Sequence, residues 1–375
     1  MTGATSPALT VLVAGGGSAG HVQPALAVAD ALVAADPSVE IICLGTAGGL
    51  ETTLVPERGY RLELIPEVKF RRRVDVDLLR IPWRLVGTVR AASKVLRSAK
   101  VDVVVGFGGY VSLPAYLAAK LSRRRVRVVV HEANARAGIA NKIGARLADA
   151  VLTAVPGTGL PGERVVGNPV RKALTDLDLP SLRNEARQYF GLDPDAPTLL
   201  VVGGSLGAVK LNEAFSEAAT DLGRAGIGVL HAHGKTKPVT LPDPEPGTPP
   251  YVLRPYLDRM DLAYAAADLV VARAGAITVA EIGALKVPVV YIPLAFGNGE
   301  QRLNALPQVQ SGAAVLIDEN DLTPAVIRDR IAGLVLDRPA LDAMSAAAGT
   351  SSTRGAAETV ATAVLAAAAP GRAGE

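Results

Sequence analysis

The chain has 375 residues, 49% of them hydrophobic and 20% charged, as expected of a soluble globular protein long enough for two domains. Aromatics are scarce at 4%, so the cores must be built from Ala, Val and Leu, and a single cysteine, Cys43, rules out an intramolecular disulfide. The net charge of +3 is unevenly spread: residues 1–170 carry 21 Lys and Arg against 13 Asp and Glu, and the remainder 18 against 23, which points to an anionic partner for the first half.

The opening "MTGATSPALT" lacks the basic region of a secretory signal, and no apolar run reaches the roughly 18 residues needed to span a bilayer. Strand candidates then follow in order: "LTVLVAG", "VEIICLG", "VDVVVGF", "RVRVVVHE", "DAVLTAV" and "RVVG". They are continuous apolar runs, as in a parallel sheet covered on both faces, and helices such as "PALAVADALVAA" and "SLPAYLAAKLS" lie between them. The pattern pauses at "GNPVRKALTDLDLPS" and restarts with "TLLVVGGSLGAVKLNEAFSEAATDL", followed by "IGVLHAHG", "YVLRPYL", "DLVVARAG" and "VPVVYIPL". The segment 238–250 reads as a surface loop, "TRGAAETVATAVLAAAA" as one helix and "PGRAGE" as a disordered tail. The expected fold is α/β, with two doubly wound Rossmann-like domains over residues 1–169 and 170–350, facing across a cleft at the carboxyl ends of the strands.

Three glycine turns sit between strand and helix. Gly15, Gly17 and Gly20 spell G-x-G-x-x-G; Gly106, Gly108 and Gly109 form a second turn, and Gly203, Gly204, Ser205 and Gly207 a third. Such turns aim backbone N–H groups and a helix dipole at an anion. A dinucleotide site would also need an acid at the end of the second strand for the ribose. That strand ends in Leu44, Gly45 and Thr46, so NAD is excluded and a phosphate-rich ligand is favoured.

The ordered segments "GGGSAGHVQPALAVADAL", "GFGGYVSLPA", "HEANARAGIANKIGARLAD", "VVGNPVR", "VVGGSLGAVKLNE", "ARAGAITVAEIGALKVPVVYIPL" and "GNGEQRLNA" resemble the MurG family of bacterial peptidoglycan N-acetylglucosaminyltransferases, of the GT-B fold. The resemblance runs from about residue 10 to about 310. It implies inverting transfer of N-acetylglucosamine from UDP-GlcNAc to the C4 hydroxyl of the muramoyl sugar on undecaprenyl-linked lipid I, giving lipid II and UDP. It also implies that the C-terminal helix, about 351–369, packs back on the N-terminal domain. Residues 1–169 would then take the acceptor and face the membrane, and residues 170–350 would bind UDP-GlcNAc.

The family pattern carries over residue by residue. His21 reads either as the base for the acceptor hydroxyl, a task suited to imidazole near neutral pH, or as a contact to the acceptor diphosphate. Gly17, Ser18, Gly108, Gly109, Tyr110, Asn134 and Asn141 match acceptor contacts, and Ser18, Gly20 and Asn134 also match donor contacts. Glu281 matches the carboxylate that grips the UDP ribose. Ala276, Ile277 and Thr278 lead into its helix, Arg171 and Ser205 match donor-diphosphate contacts, and Glu300 and Gln301 match the pair that reads the sugar hydroxyls. Leu257, with Met260, matches the uracil pocket. The chain departs from the usual pattern at Ser18 and Ala19 (Thr and Gly), Leu206 (Gln) and Glu300 (often Gln).

The D-x-D triplets at 75–77, 176–178 and 193–195 fall in polar connections, so no metal or other cofactor is expected. Between Glu67 and Lys100 lie ten Lys and Arg with three acids. Phe70, Arg71, Arg72, Arg73, Leu79, Ile81 and Trp83 there form a basic, apolar patch suited to the anionic inner leaflet of the cell membrane. The expected location is therefore peripheral, on the cytoplasmic side of that membrane, with cell-wall synthesis proteins as further partners. No nucleic-acid motif accompanies the charge. The rivals are a UDP-GlcNAc 2-epimerase or another UDP-sugar enzyme of this fold, which would need neither the patch nor "HEANARAGIANK", and a non-catalytic UDP-sugar sensor.

Overall fold

The computed structural model of the chain describes residues 9–67, 81–204, 207–236, 238–296, 299–348 and 355–369, with Ile81 and Pro82 described in their backbone only. Phe70, Arg71, Arg72, Arg73, Leu79, Ser205 and Leu206 lie outside the described residues, as does the 75–77 triplet. The chain divides into two compact units, residues 1–171 with 352–375, and residues 172–351.

The first unit holds β1 (Thr10–Ala14), β2 (Glu40–Gly45), β3 (Arg61–Leu64), β4 (Val103–Gly106), β5 (Arg127–Glu132), β6 (Ala150–Thr153) and β7 (Arg164–Val165). They form one sheet in the order β3-β2-β1-β4-β5-β6-β7, every pair parallel. Successive strand residues point to opposite faces, and here both faces are apolar. Val11, Val13, Val103, Val105 and Val129 pack on one side with the helix Ala19–Ala35. Leu12, Ala14, Val104, Val128 and Val130 pack on the other with the helices Ile81–Ser98 and Ser112–Lys120. A strand buried on both faces reads as an unbroken apolar run, which is why these strands are visible in the sequence. Edge strand β3 alternates charge with leucine and gives no such signal.

The helix Ala356–Ala368 lies against the helix Ala19–Ala35 in this same unit, with Val360, Ala361 and Val364 completely buried in the shared core. The last helix therefore closes the first sheet although nearly two hundred residues separate it from that unit's other elements.

The second unit repeats the plan with β8 (Thr198–Val202), β9 (Gly228–Ala232), β10 (Tyr251–Arg254), β11 (Leu269–Ala272), β12 (Val289–Tyr291) and β13 (Ala314–Leu316). Their order is β10-β9-β8-β11-β12-β13, again all parallel. Three-residue β13 at the far edge escapes the sequence pattern. At the amino ends of these strands Asp268 accepts from Arg183, from the buried Arg187 and from the Thr198 N–H, joining the helix Leu179–Phe190 to the sheet. Thus both units are doubly wound α/β folds with the order reversal that places ligands at the carboxyl ends of the central strands.

Replacing Val360 by Ala removes buried methyl groups from a core with no slack, a cost of about 2–3 kcal/mol. Calorimetry of the first unit's transition is expected to show Tm lower by about 5–10 °C, whereas exposed Thr362→Ala on the same helix shifts stability by less than about 0.5 kcal/mol.

Candidate active site

In the first unit the order reverses between β1 and β4, and the turns that follow these two strands meet there. The first runs Gly15–Ser18 into the helix Ala19–Ala35, with Gly17 at φ +90° and Ser18 as an extended N-cap whose hydroxyl makes no capping bond. The second brings up Phe107, Gly108 and Gly109, the last two at φ +88° and +79°. His21, on the first turn of the helix, donates from Nδ1 to the Phe107 carbonyl at 2.8 Å. A carbonyl only accepts, so the proton sits on Nδ1 and Nε2 is left as the basic nitrogen.

The glycines of the second turn serve that ring and its neighbours. A Cβ on Gly108 would lie 3.1 Å from His21 Cε1, and one on Gly109 2.5 Å from the Gly16 carbonyl and 3.2 Å from His21 Cδ2. A Cβ on Gly106 would collide with the buried Tyr116 hydroxyl at 2.1 Å. The sequence reads this turn as one of three that together favour a phosphate-rich ligand; Tyr116 and His21 occupy the places where Cβ atoms at its glycines would stand. Tyr110 is half exposed, its ring 3.9 Å from where a Gly17 Cβ would stand.

A carboxylate that the sequence reading passes over sits under the first turn. Glu51 is completely buried and accepts from the Gly17 N–H at 2.9 Å, the Thr46 N–H at 2.7 Å and the Thr46 hydroxyl at 3.1 Å. Glu132, at the end of β5, is a second. It accepts from the backbone and side-chain N–H groups of Asn134, the Gly138 N–H and the Asn141 amide. Asn141 is 1% exposed, donates also to the His131 carbonyl and accepts from the Tyr116 hydroxyl. It therefore holds the 133–138 loop from beneath instead of presenting its amide to a ligand. Neighbouring His131 donates from Nε2 to the Gly167 carbonyl, and burial holds its pKa below the ordinary imidazole value.

In the second unit the reversal lies between β8 and β11. Beyond β8, Gly207 (φ +72°) passes so close to β9 that a Cβ would stand 2.1 Å from the His233 carbonyl. A directional chain fixes this corner: the Tyr251 hydroxyl donates to His231 Nδ1, His231 Nε2 donates to the Asn212 side-chain oxygen, and Asn212 donates to the His233 carbonyl. Beyond β11, Gly275 is the N-cap of the helix Ala276–Leu285 and has no side chain to cap it. The first-turn N–H groups of Ala276, Ile277 and Thr278 thus start a helix suited to an anion. Glu281, half-buried one turn on, accepts from the Tyr264 hydroxyl at 3.2 Å.

Arg273 is buried, donates to the Ile292 and Pro293 carbonyls and is ion-paired with buried Glu319. Glu319 in turn accepts from the Ala295 N–H at 3.0 Å. Burial raises the Glu319 pKa, but the Arg273 contact and the Ala295 N–H outweigh it and the net displacement is downward. Gln301 accepts from the Leu294 N–H, so its oxygen steadies the same loop. Glu300 is half-buried at the start of the helix Glu300–Gln310, Leu257 is buried, and Arg171 ends the first unit's longer segment. Asp176 pairs with Lys172 and Asp193 accepts from the N–H groups of Asp195 and Ala196, so both described D-x-D triplets are turn and helix-surface structure.

The structure brings His21, Gly17, Ser18, Gly20, Gly108, Gly109 and Tyr110 together in the first unit, with Asn134 on a loop tied to β5. It gathers Ala276, Ile277, Thr278 and Glu281 in the second. Glu51, Glu132, Asn212, His231 and Glu319 are the residues that sequence reasoning did not single out as site components.

Two doubly wound units, one presenting an oriented imidazole and the other an uncapped helix start with a carboxylate behind it, define the GT-B class of glycosyltransferase. The glycosyltransferase family 28 N-terminal domain matches residues 11–153 and the family's C-terminal domain residues 198–360. The chain belongs to glycosyltransferase family 28. It is 59% identical over 343 residues to the UDP-N-acetylglucosamine–N-acetylmuramyl-(pentapeptide) pyrophosphoryl-undecaprenol N-acetylglucosamine transferase of Mycolicibacterium paratuberculosis, covering 91% of this chain and 84% of that one. The Mycobacterium leprae protein of the same name is 55% identical over 363 residues, covering 96% and 89%. The crystal structure of Acinetobacter baumannii MurG superposes with a TM-score of 0.72 at 29% identity, over 96% of this chain and 99% of that one. A calicheamicin glycosyltransferase, at 18% identity and a TM-score of 0.63 over 96% and 99%, shares the fold.

Burial, with a smaller contribution from the neighbouring His233, drives the His231 pKa down to about 3 from an ordinary 6.5. The folded value is the depressed one, so this stability is complete above pH 6.5 and is lost as the pH falls toward 3. The stability difference between the wild type and His231→Gln is expected to shrink by about 1.4 kcal/mol per pH unit between pH 6 and 4. Denaturant unfolding of the two proteins across that range measures it, and a difference independent of pH refutes the buried neutral imidazole.

Proposed function

We propose that the chain transfers N-acetylglucosamine from UDP-GlcNAc to the C4 hydroxyl of the N-acetylmuramoyl sugar on undecaprenyl-diphosphate lipid I, forming lipid II and UDP. The observation that carries this reading is the His21 tautomer, with Nδ1–H bound to the Phe107 carbonyl and Nε2 left as the acceptor. The names of the relatives, at 55–59% identity over most of the chain, supply the substrates.

His21 Nε2 takes the proton as the acceptor oxygen attacks the anomeric carbon. The new C–O bond forms as the bond to UDP breaks, which inverts the centre. The leaving diphosphate gains charge, and that charge is met by the helix start at Ala276–Thr278, by Arg171 and by the Gly203–Gly207 turn with Ser205. Glu281 accepts from the uridine ribose hydroxyls, Leu257 flanks the uracil, and Glu300 and Gln301 read the sugar. Ser18 and Tyr110 border the acceptor, Ser18, Gly20 and Asn134 reach the donor, Asn134 borders either sugar, and Asn141, Gly108 and Gly109 back the acceptor side from behind. The first unit is the acceptor side and the second the donor side. On this reading the leaving-group charge is met by the helix start and side chains, and no metal is invoked in the transfer.

With lipid I analogue and UDP-GlcNAc, His21→Ala is expected to lower kcat by about 10²–10⁴-fold. Its affinity for UDP-GlcNAc is expected to remain unchanged, whereas Glu281→Ala weakens that affinity by about 10–100-fold. EDTA leaves the wild-type rate unaltered. Full activity in His21→Ala refutes the base assignment, and wild-type UDP release that ignores the acceptor refutes the transferase.

No described helix is long and apolar enough to cross a membrane. The helix Ile81–Ser98 buries Thr88, Ala92, Val95 and Leu96 and exposes Arg84, Val86, Arg90, Lys94 and Arg97, with Trp83 78% exposed. This surface supports peripheral attachment to the anionic cytoplasmic leaflet, where cell-wall synthesis proteins also assemble. Flotation with vesicles containing phosphatidylglycerol should capture the protein at low salt, and Trp83→Ala should reduce capture severalfold. Equal capture by neutral vesicles overturns the electrostatic part of this assignment.

A further inference from the structure

Glu51 is a completely buried carboxylate, yet it has no cation within ion-pair distance among the described residues. Among the described residues its charge is met by N–H and O–H donors alone. One oxygen takes the Gly17 N–H, and the other takes both donors of Thr46. Three glycines crowd around it: a Cβ on Gly16 would stand 2.8 Å from its Oε1, one on Gly45 2.3 Å from its Cγ, and one on Gly49 2.0 Å from its Oε2. Any side chain at those positions would drive the carboxylate out.

The placement changes the meaning of the first glycine turn. In a G-x-G-x-x-G loop that binds a dinucleotide, the backbone approaches a pyrophosphate and its N–H groups face a ligand anion. Here the Gly17 N–H faces an anion that belongs to the protein. We propose that Glu51 is a positioning residue: an internal anion that stands in for a ligand phosphate, locks the chain from Gly16 to His21, and so holds the His21 imidazole against the Phe107 carbonyl. The consequence for the transfer reaction rests on the reading of the preceding section, but the lock itself does not.

Because Gly17 is engaged, the acceptor's anionic groups must be read by Ser18 and the helix start beyond it. The same lock takes the Gly17 N–H away from any ligand pyrophosphate, which adds to the missing ribose acid as an argument against NAD. Glu51 cannot serve as that acid, since it is sealed from solvent.

Two variants separate the outcomes. In Glu51→Gln one end of the amide must present NH₂ to a donor, whichever way it is turned. Its kcat is expected to fall on the order of 10²-fold through misplacement of the base, while its Tm stays within a few degrees of the wild type and its UDP-GlcNAc affinity is unchanged. Glu51→Ala leaves a hole the shape of acetate, lined by the Gly17 and Thr46 donors. Added acetate should restore its rate saturably, where chloride at equal ionic strength does not, and acetate should do nothing for His21→Ala. Wild-type kcat in Glu51→Gln overturns the proposal, as does a folded, inactive Glu51→Ala that acetate fails to rescue. ¹⁵N spectra of the His21 ring supply a readout that does not depend on turnover. The wild type should hold the proton on Nδ1 and Glu51→Gln should show mixed tautomers; identical spectra overturn the lock even if the transferase reading stands. If the wild type transfers no sugar but the spectra differ as expected, the functional reading fails and the lock survives.

Discussion

The reversal of strand order at the centre of each sheet is the constraint from which the site follows. After β1 the chain crosses to the face covered by the helix Ala19–Ala35, and after β4 it crosses to the opposite face and the helix Ser112–Lys120. Two neighbouring strands therefore send their turns apart, and a crevice opens between them. The Phe107 carbonyl lies just past β4, where it is no longer used by the sheet, and can take the His21 proton. Had the strands been joined in sequence on one face, helix and turn would cover each other and no imidazole could stand between them. The second unit uses the same reversal between β8 and β11 to expose the helix start at Ala276.

Much of this was legible in the sequence, for a reason that lies in burial. Strands covered on both faces must be apolar at every position, so β1, β4, β5, β8 and β11 announce themselves. Arg61–Leu64 and Ala314–Leu316 do not, because edge strands keep one side open and can alternate or be short. His21 and the first glycine turn are adjacent in the chain and were visible together. Glu51 was not: it lies 34 residues from Gly17, and only the parallel pairing of β1 with β2 brings the two together. Asn141 shows the opposite difficulty. A polar residue in a loop motif looks like a ligand contact, and composition cannot say that Tyr116, His131 and Glu132 already engage its amide. The glycines at 106, 108 and 109 have a further reason that composition does not reveal: a Cβ on any of them would meet Tyr116, His21 or the Gly16 carbonyl.

Three buried carboxylates share one task. Glu51 ties the first glycine turn to the end of β2, Glu132 ties the 133–138 loop to β5, and Glu319 ties Arg273 to the loop after β12. Burying an ionised carboxylate is tolerable only when its oxygens are fully met by donors, and bonds to a charged acceptor are roughly twice as strong as neutral ones. Such a group therefore holds several backbone segments in one arrangement or fails altogether. It sets the site's geometry before substrate arrives, which is the condition for stabilising a transition state without reorganisation.

This device has an electrostatic corollary for the first unit. Two of its loops are organised by buried negative charge with no cation beside either acid among the described residues, although residues 1–170 carry 21 Lys and Arg against 13 acids. Among the described residues, exposed cations of this unit stand on the helix Ile81–Ser98 and at Arg123, Arg124 and Arg125, and no ion pair places one beside Glu51 or Glu132. On the proposed function, attraction of an anionic, lipid-borne acceptor and its discrimination are then separate tasks of the unit. Surface charge acts over about a Debye length, some 8–10 Å, and weakens with salt. The helix start at Ser18–His21 acts at hydrogen-bond range on a geometry already fixed by Glu51. A turn that carried its own cation would bind any phosphate that reached it; one neutralised from within responds only to a ligand that also fits the imidazole and the helix start.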